Sequence, residues 1–213
     1  MRSKSKSGRH RSRSKTEFSL FIIESLEFAD EKAGRLEGKI LRDLLRLSRQ
    51  GIDIEYLYIR TWREFKKALA IFSRSKKRYL HISSHGNQKE LALTLDTIPL
   101  NVFGRELARH VNHRRVFFSA CEVATGELAT AAMKGSGCYS VIAPKADISF
   151  GDAAIMWASF YHLMFRDANA ESMRGGKIRW ALRRLHHTFG EEFTYFNKAD
   201  SKKGYETVDV NKR

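Results

Sequence analysis

His85-Gly86 closes one short apolar run, Tyr79 to Ser84, and Ala120-Cys121 closes another, Val116 to Ala120. An imidazole and a thiol leaving two strand ends side by side have the composition of a cysteine nucleophile and its base. A thiol at its reference pKa of about 8.5 is only a few per cent thiolate at neutral pH, so it needs a proton acceptor or oriented dipoles to react. In that reading Cys121 attacks a carbonyl carbon, His85 takes and returns the proton, and the backbone N–H groups of Gly86 and Cys121 face the developing oxyanion. Glycine at 86 is expected because a side chain there would crowd the substrate and restrict the turn. A lone cysteine at a strand end is also common as plain packing; the His-Gly on the preceding strand is what shifts the balance.

Other side chains of the same kinds carry less. His81 lies inside its strand, where a satisfied core histidine is expected, and His186-His187 lies late on a basic helix. Cys138 precedes a strand and is expected to pack. His110, His113 and His162 show no metal-ligand spacing, so no metal and no cofactor is expected. Trp157, Phe160 and Tyr161 have the spacing of a helix core.

The elements that must hold the pair alternate along the chain. Ser19 to Glu24 reads as a buried strand, followed by a helix with Leu36, Ile40, Leu44, Leu45 and Leu47 on one face, which Gly51 stops. Ile54 to Ile59 is a strand, and Thr61 with Glu64 forms a capping box for a helix bearing Trp62, Phe65, Leu69 and Phe72. After His85-Gly86, Glu90 to Leu100 reads as a small edge hairpin broken at Pro99, and Asn101 caps a helix through Val102, Leu107 and Val111. Thr125 opens a helix behind Cys121. A fifth strand, Tyr139 to Ala143, two helices, Gly151 to Met164 and Gly176 to Leu185, and a short strand at Tyr205 to Val210 complete the pattern. Such alternation predicts an α/β fold with a mostly parallel sheet and helices on both faces. Ligands of such sheets bind beyond the carboxyl ends of strands, and His85 and Cys121 fall at a switch point there.

The chain of 213 residues, 42% apolar and 30% charged, is the size of one domain. Its net charge of +15 favours acidic partners. Residues 1–15 hold Arg2, Lys4, Lys6, Arg9, Arg11, Arg13 and Lys15 with no acid, a composition expected of a disordered basic arm ahead of a domain spanning 16–213. Phe18 to Ile23 is too short and too close to Glu24 and Glu27 for a secretory segment, and no run is long enough to span a bilayer. Two cysteines do not make a disulfide scaffold. A cytoplasmic protein with reduced thiols is the expectation.

At Ser84-His85-Gly86 and Ser119-Ala120-Cys121 the chain resembles the caspase-like cysteine peptidases, whose members carry His-Gly after the third core strand and Ala-Cys after the fourth. It is similar to the CHAT domains of that superfamily in Phe160-Tyr161-His162-Leu163-Met164, with the leucine one position early, and in Trp180-Ala181-Leu182. The resemblance runs from about Phe18 to Leu185. It implies a three-layer caspase-like fold, peptide substrates and a thioester intermediate on Cys121. The chain reads Ser119-Ala120-Cys121-Glu122-Val123 where caspases have Gln-Ala-Cys-Arg-Gly, so aspartate specificity is not implied. Basic-specific relatives bind the residue before the cleaved bond with carboxylates near the ends of the first and fifth strands, here Glu24 and Asp147. Cleavage after Arg or Lys is then expected, through charge-assisted hydrogen bonds.

A rival reading keeps the cysteine structural, as an inactive caspase-like scaffold or a nucleic-acid-binding protein acting through residues 1–15. Arg74 to Arg78 and the helix with Arg174, Lys177, Arg179, Arg183 and Arg184 add positive surface. No base-reading motif accompanies them.

Overall fold

The structure is a computed structural model that describes residues 19–47, 52–166 and 174–211. The basic arm and Gly51 lie outside the described residues.

Seven strands form the central sheet: β1 (Ser19–Glu24), β2 (Asp53–Tyr58), β3 (Tyr79–Ser83), β7 (Arg115–Ser119), β8 (Ser140–Pro144), β9 (Phe193–Lys198) and β10 (Tyr205–Thr207), in the spatial order β10-β9-β8-β7-β3-β1-β2. From β2 to β8 all neighbours are parallel; β9 runs antiparallel to β8, and β10 antiparallel to β9. A second sheet of three short strands, β4 (His85–Gly86), β5 (Glu90–Ala92) and β6 (Thr97–Pro99), is antiparallel. The expected edge hairpin is therefore real, but it pairs with the His-Gly segment itself. β9 was not foreseen.

Successive side chains of a strand point to opposite faces, and the central strands are apolar on both. Phe21, Ile23, Leu80, Ile82, Val116 and Phe118 join one buried cluster, under α3 (Trp62–Arg74), α4 (Leu100–Ala108) and α5 (Gly126–Met133). Leu20, Ile22, Tyr79 and Phe117 join the other, under α2 (Glu37–Arg46), α6 (Phe150–Phe165) and α7 (Gly175–Phe189). Trp157, Phe160 and Tyr161 are fully buried there, as their spacing predicts. The result is the three-layer α/β arrangement expected from the alternation.

Local chemistry sets several boundaries. Thr61 accepts from Glu64 N–H while the Glu64 carboxylate accepts from Thr61 N–H, the capping box read from sequence. Thr125 caps α5 through Leu128 N–H. Asn101 does not cap α4: the helix begins at Leu100, with Pro99 before it supplying a fixed φ and no side-chain cap. The first helical stretch differs most. A separate short helix, α1 (Phe28–Lys32), precedes α2, and α2 buries Gly38, Leu41 and Leu45, leaving Ile40, Leu44 and Leu47 largely exposed. Leucine counting picked the wrong stripe because the packed face is built around Gly38, whose missing Cβ lets the helix approach Ile22 and Glu24.

The chain goes outward from β1 to β2 and then returns to place β3 on the other side of β1. α2 and α3 consequently cover opposite faces. The reversal thus lies between β1 and β3, one strand away from the β3/β7 position expected from sequence.

Candidate active site

β3 and β7 pair in parallel with Ser83 opposite Ser119, and Ser84 N–H donates to Ser119 O at 3.3 Å. His85 and Cys121 each lie two residues beyond that pair, so both leave the same rim of the sheet. The loop after β8 and the first residue of α6 each touch one of them. Cys121 Sγ hydrogen-bonds with the Asp147 carboxylate and accepts from Ile148 N–H. Three residues after Asp147, the Phe150 ring packs edge-on against the His85 imidazole with centroids 5.2 Å apart.

Asp30, on α1 just past the end of β1, brings a third group to this rim. Its Oδ2 lies 2.6 Å from His85 Nε2, and its Oδ1 accepts from Arg35 Nη1 at 2.8 Å. Burial by itself would raise the Asp30 pKa, but the hydrogen bonds from His85 and Arg35 outweigh it and hold the carboxyl below its ordinary value. An ionised carboxylate only accepts, so in the neutral ring the proton sits on Nε2 and the Nδ1 lone pair is the acceptor. The switch between β1 and β3 explains how residues so distant in sequence meet: Asp30 follows one flanking strand and His85 the other.

Cys121 is half-buried. Burial, followed by the hydrogen bond and charge of Asp147, raises its thiol pKa, and the N–H of Ile148 offsets only part of this. The thiol is therefore protonated at neutral pH, and a reaction there requires a base at the moment of attack rather than a standing thiolate. Glu122, next in the chain, has φ of 52°, a left-handed conformation that costs energy for a residue with a Cβ and is often found where a side chain is held for function. Cys138 is fully buried, its thiol pushed up to about 12 by burial.

The need for glycine at 86 has a packing origin. A Cβ built there would stand 2.4 Å from Val123 Cγ1 and 3.3 Å from Glu90 O. Val123 is two residues past Cys121, so this contact presses the histidine segment against the cysteine turn. From the opposite side, Thr94 Oγ1 donates to Leu26 O at 2.6 Å, tying the small sheet to the exit of β1.

Glu24 and Asp147 have separate partners. Asp147 is exposed at the thiol. Glu24 is fully buried: Oε1 accepts from Gly38 N–H at 2.7 Å, and Oε2 from Tyr56 Oη at 2.7 Å and Lys39 N–H at 3.2 Å. Desolvation lifts its pKa to about 7 against these donors. Around it lies a buried polar group in which Glu37 contacts Ser83 Oγ and faces His81 Nε2 at 3.6 Å, while His81 Nδ1 meets Tyr161 Oη at 3.1 Å. His81 is a core residue, as expected. Of the positive surface, Lys77 is tied to Asp53 at 2.6 Å and Arg184 lies over the Trp180 ring.

Sequence reasoning missed Asp30, Phe150 and Val123. The only local signal was the pair Glu27-x-x-Asp30 directly after a strand end.

No family model and no curated protein matches the chain. Among solved structures it is similar to the complex of the pro- and mature domains of RgpB from Porphyromonas gingivalis, with 13% identity and a TM-score of 0.53, over 82% of this chain and 44% of that one. It is also similar to a secreted C11 cysteine protease from Bacteroides thetaiotaomicron in complex with an irreversible peptide inhibitor, with 9% identity and a TM-score of 0.56, over 84% of this chain and 66% of that one. The chain thus spans less than two thirds of the length of these neighbours. They define the fold as caspase-like, the architecture expected from the strand-end dyad. No described helix is long and apolar enough to cross a membrane.

Proposed function

We propose that the chain is a cysteine endopeptidase in which Cys121 is the nucleophile, His85 the proton carrier and Asp30 the residue that positions the imidazole. The observation that carries this is the 2.6 Å contact between His85 Nε2 and an ionised Asp30, at the rim where the thiol also emerges. As a peptide carbonyl arrives, the Sγ proton passes to His85 Nδ1 and sulfur bonds to the carbonyl carbon. The oxyanion faces the N–H groups of Gly86 and Cys121. The imidazole then gives its proton to the leaving amine, and water hydrolyses the thioester with the same ring as base.

Specificity for Arg or Lys before the cleaved bond is assigned to Asp147, whose exposed carboxylate stands at the sulfur. Glu24, already saturated with donors, ties the end of β1 to α2 and β2. Residues 16–213 are read as one peptidase domain following a basic arm at 1–15, with a CHAT-like sequence in α6. The two unpaired cysteines fit a reducing, cytoplasmic setting.

The test is a panel of fluorogenic peptides ending in Arg, Lys, Asp or Leu, incubated with wild type and Cys121→Ala. Cleavage after Arg and Lys that vanishes in Cys121→Ala is the expected result. Cleavage that survives the substitution, or none of any peptide, overturns the reading.

A further inference from the structure

We propose that Glu27, Asp30 and His85 form a binding site for a divalent transition-metal cation, best matched by Zn²⁺, whose occupancy switches the peptidase off. One ligand atom from each residue lies within 4.8 Å of the other two. Glu27 is the N-cap residue of α1 and Asp30 lies three positions on, so the first turn of one helix presents both carboxylates to the imidazole that β4 supplies.

The donor set indicates the cation. Two carboxylate oxygens neutralise a dication, and one imidazole nitrogen favours zinc over calcium or magnesium, which take oxygen ligands. Three protein ligands leave a fourth position for water. Zinc bonds of about 2.0–2.2 Å require donors roughly 3–3.5 Å apart. Exposed Glu27 must swing inward by that margin, and the 2.6 Å contact between Asp30 Oδ2 and His85 Nε2 must open to it as the metal takes the place of the Nε2 proton. Arg35 holds the other Asp30 oxygen at 2.8 Å, which keeps the carboxyl ionised and aims Oδ2 at His85, as partners of metal-bound carboxylates commonly do. Sequence spacing could not indicate this site, because the imidazole comes from a different strand end.

Binding changes the ring in one defined way. The Nε2 proton moves to Nδ1, so that Nε2 offers its lone pair to the metal; a neutral ring releases no net proton. Nδ1–H then cannot accept from Cys121. The off-switch rests on the peptidase reading; the cation site does not.

The experiment is calorimetric titration of the full chain with ZnCl₂, in wild type, Glu27→Gln and Cys121→Ala, alongside peptide cleavage at the same zinc concentrations. Expected are a tightest site of one Zn²⁺ per chain, affinity at least tenfold weaker in Glu27→Gln, and unchanged affinity in Cys121→Ala. Glu27→Gln should cleave at the wild-type rate without zinc and need at least tenfold more zinc for inhibition. No binding by wild type, equal binding by Glu27→Gln, or loss of binding in Cys121→Ala overturns the site. Zinc bound as expected, with cleavage unaffected, overturns the switch alone. A chain that binds zinc but never cleaves overturns the peptidase reading and with it the switch, leaving the cation site standing.

Discussion

Asp30 Oδ2 stands 2.6 Å from His85 Nε2 although 55 positions separate the two residues. The contact fixes the imidazole tautomer, and on the peptidase reading it makes the acid on α1 a positioning residue of the dyad. Asp30→Asn should lower kcat by about 10²-fold or more, with KM little changed and the fold intact by circular dichroism. An unchanged kcat would remove Asp30 from the machinery.

Burial, reinforced by the hydrogen bond and charge of Asp147, raises the Cys121 thiol pKa, and Asp147 is also assigned the substrate cation. Asp147→Asn should speed alkylation of Cys121 by iodoacetamide at pH 7 and shift its pH profile downward, while slowing cleavage after Arg and Lys. Cys138, fully buried, should remain unreactive in both proteins. Mass mapping of the alkylated peptides separates the two thiols, and equal rates in both variants would contradict the assigned cause.

Gly86→Ala places a methyl group where Val123 already stands, a predicted loss of about 1–3 kcal/mol of stability. The double variant with Val123→Ala should recover part of it. Urea unfolding of the four proteins measures the coupling; strict additivity would mean that the two side chains do not compete for one space.

Glu24 ties stability to pH. Its folded pKa, raised to about 7 from 4.5, means that the native chain holds this proton more tightly than the unfolded chain. The associated contribution, about 3 kcal/mol, is full below about pH 4.5 and lost as pH rises through about 7. Glu24→Gln should flatten the pH dependence of unfolding between pH 5 and 7, measured by urea denaturation at half-unit steps.

Legibility followed the range of the interactions. The strands β1, β3, β7 and β8, the Thr61 capping box and the Thr125 cap are local patterns, and they were readable within a residue or so. The burial of Trp157 and Tyr161 followed from helical spacing. The buried stripe of α2 was misread because it depends on Gly38 meeting β1, which no count of leucines reveals. Asp30 was invisible for a similar reason: an acid in a short helix acquires meaning only when the sheet reverses between β1 and β3 and sets that helix beside His85. Glu24 was located at the right strand end, yet sequence gives no hint that its carboxylate turns inward to the N-terminal turn of α2.

The five-residue helix that carries Asp30 also exposes Phe28 to solvent. A grip placed on that outer ring, such as an antibody fragment raised against Phe28–Lys32, would tug on the imidazole through a single side chain. On the peptidase reading proposed above, cleavage would then be throttled from outside the dyad, with nothing placed against the thiol.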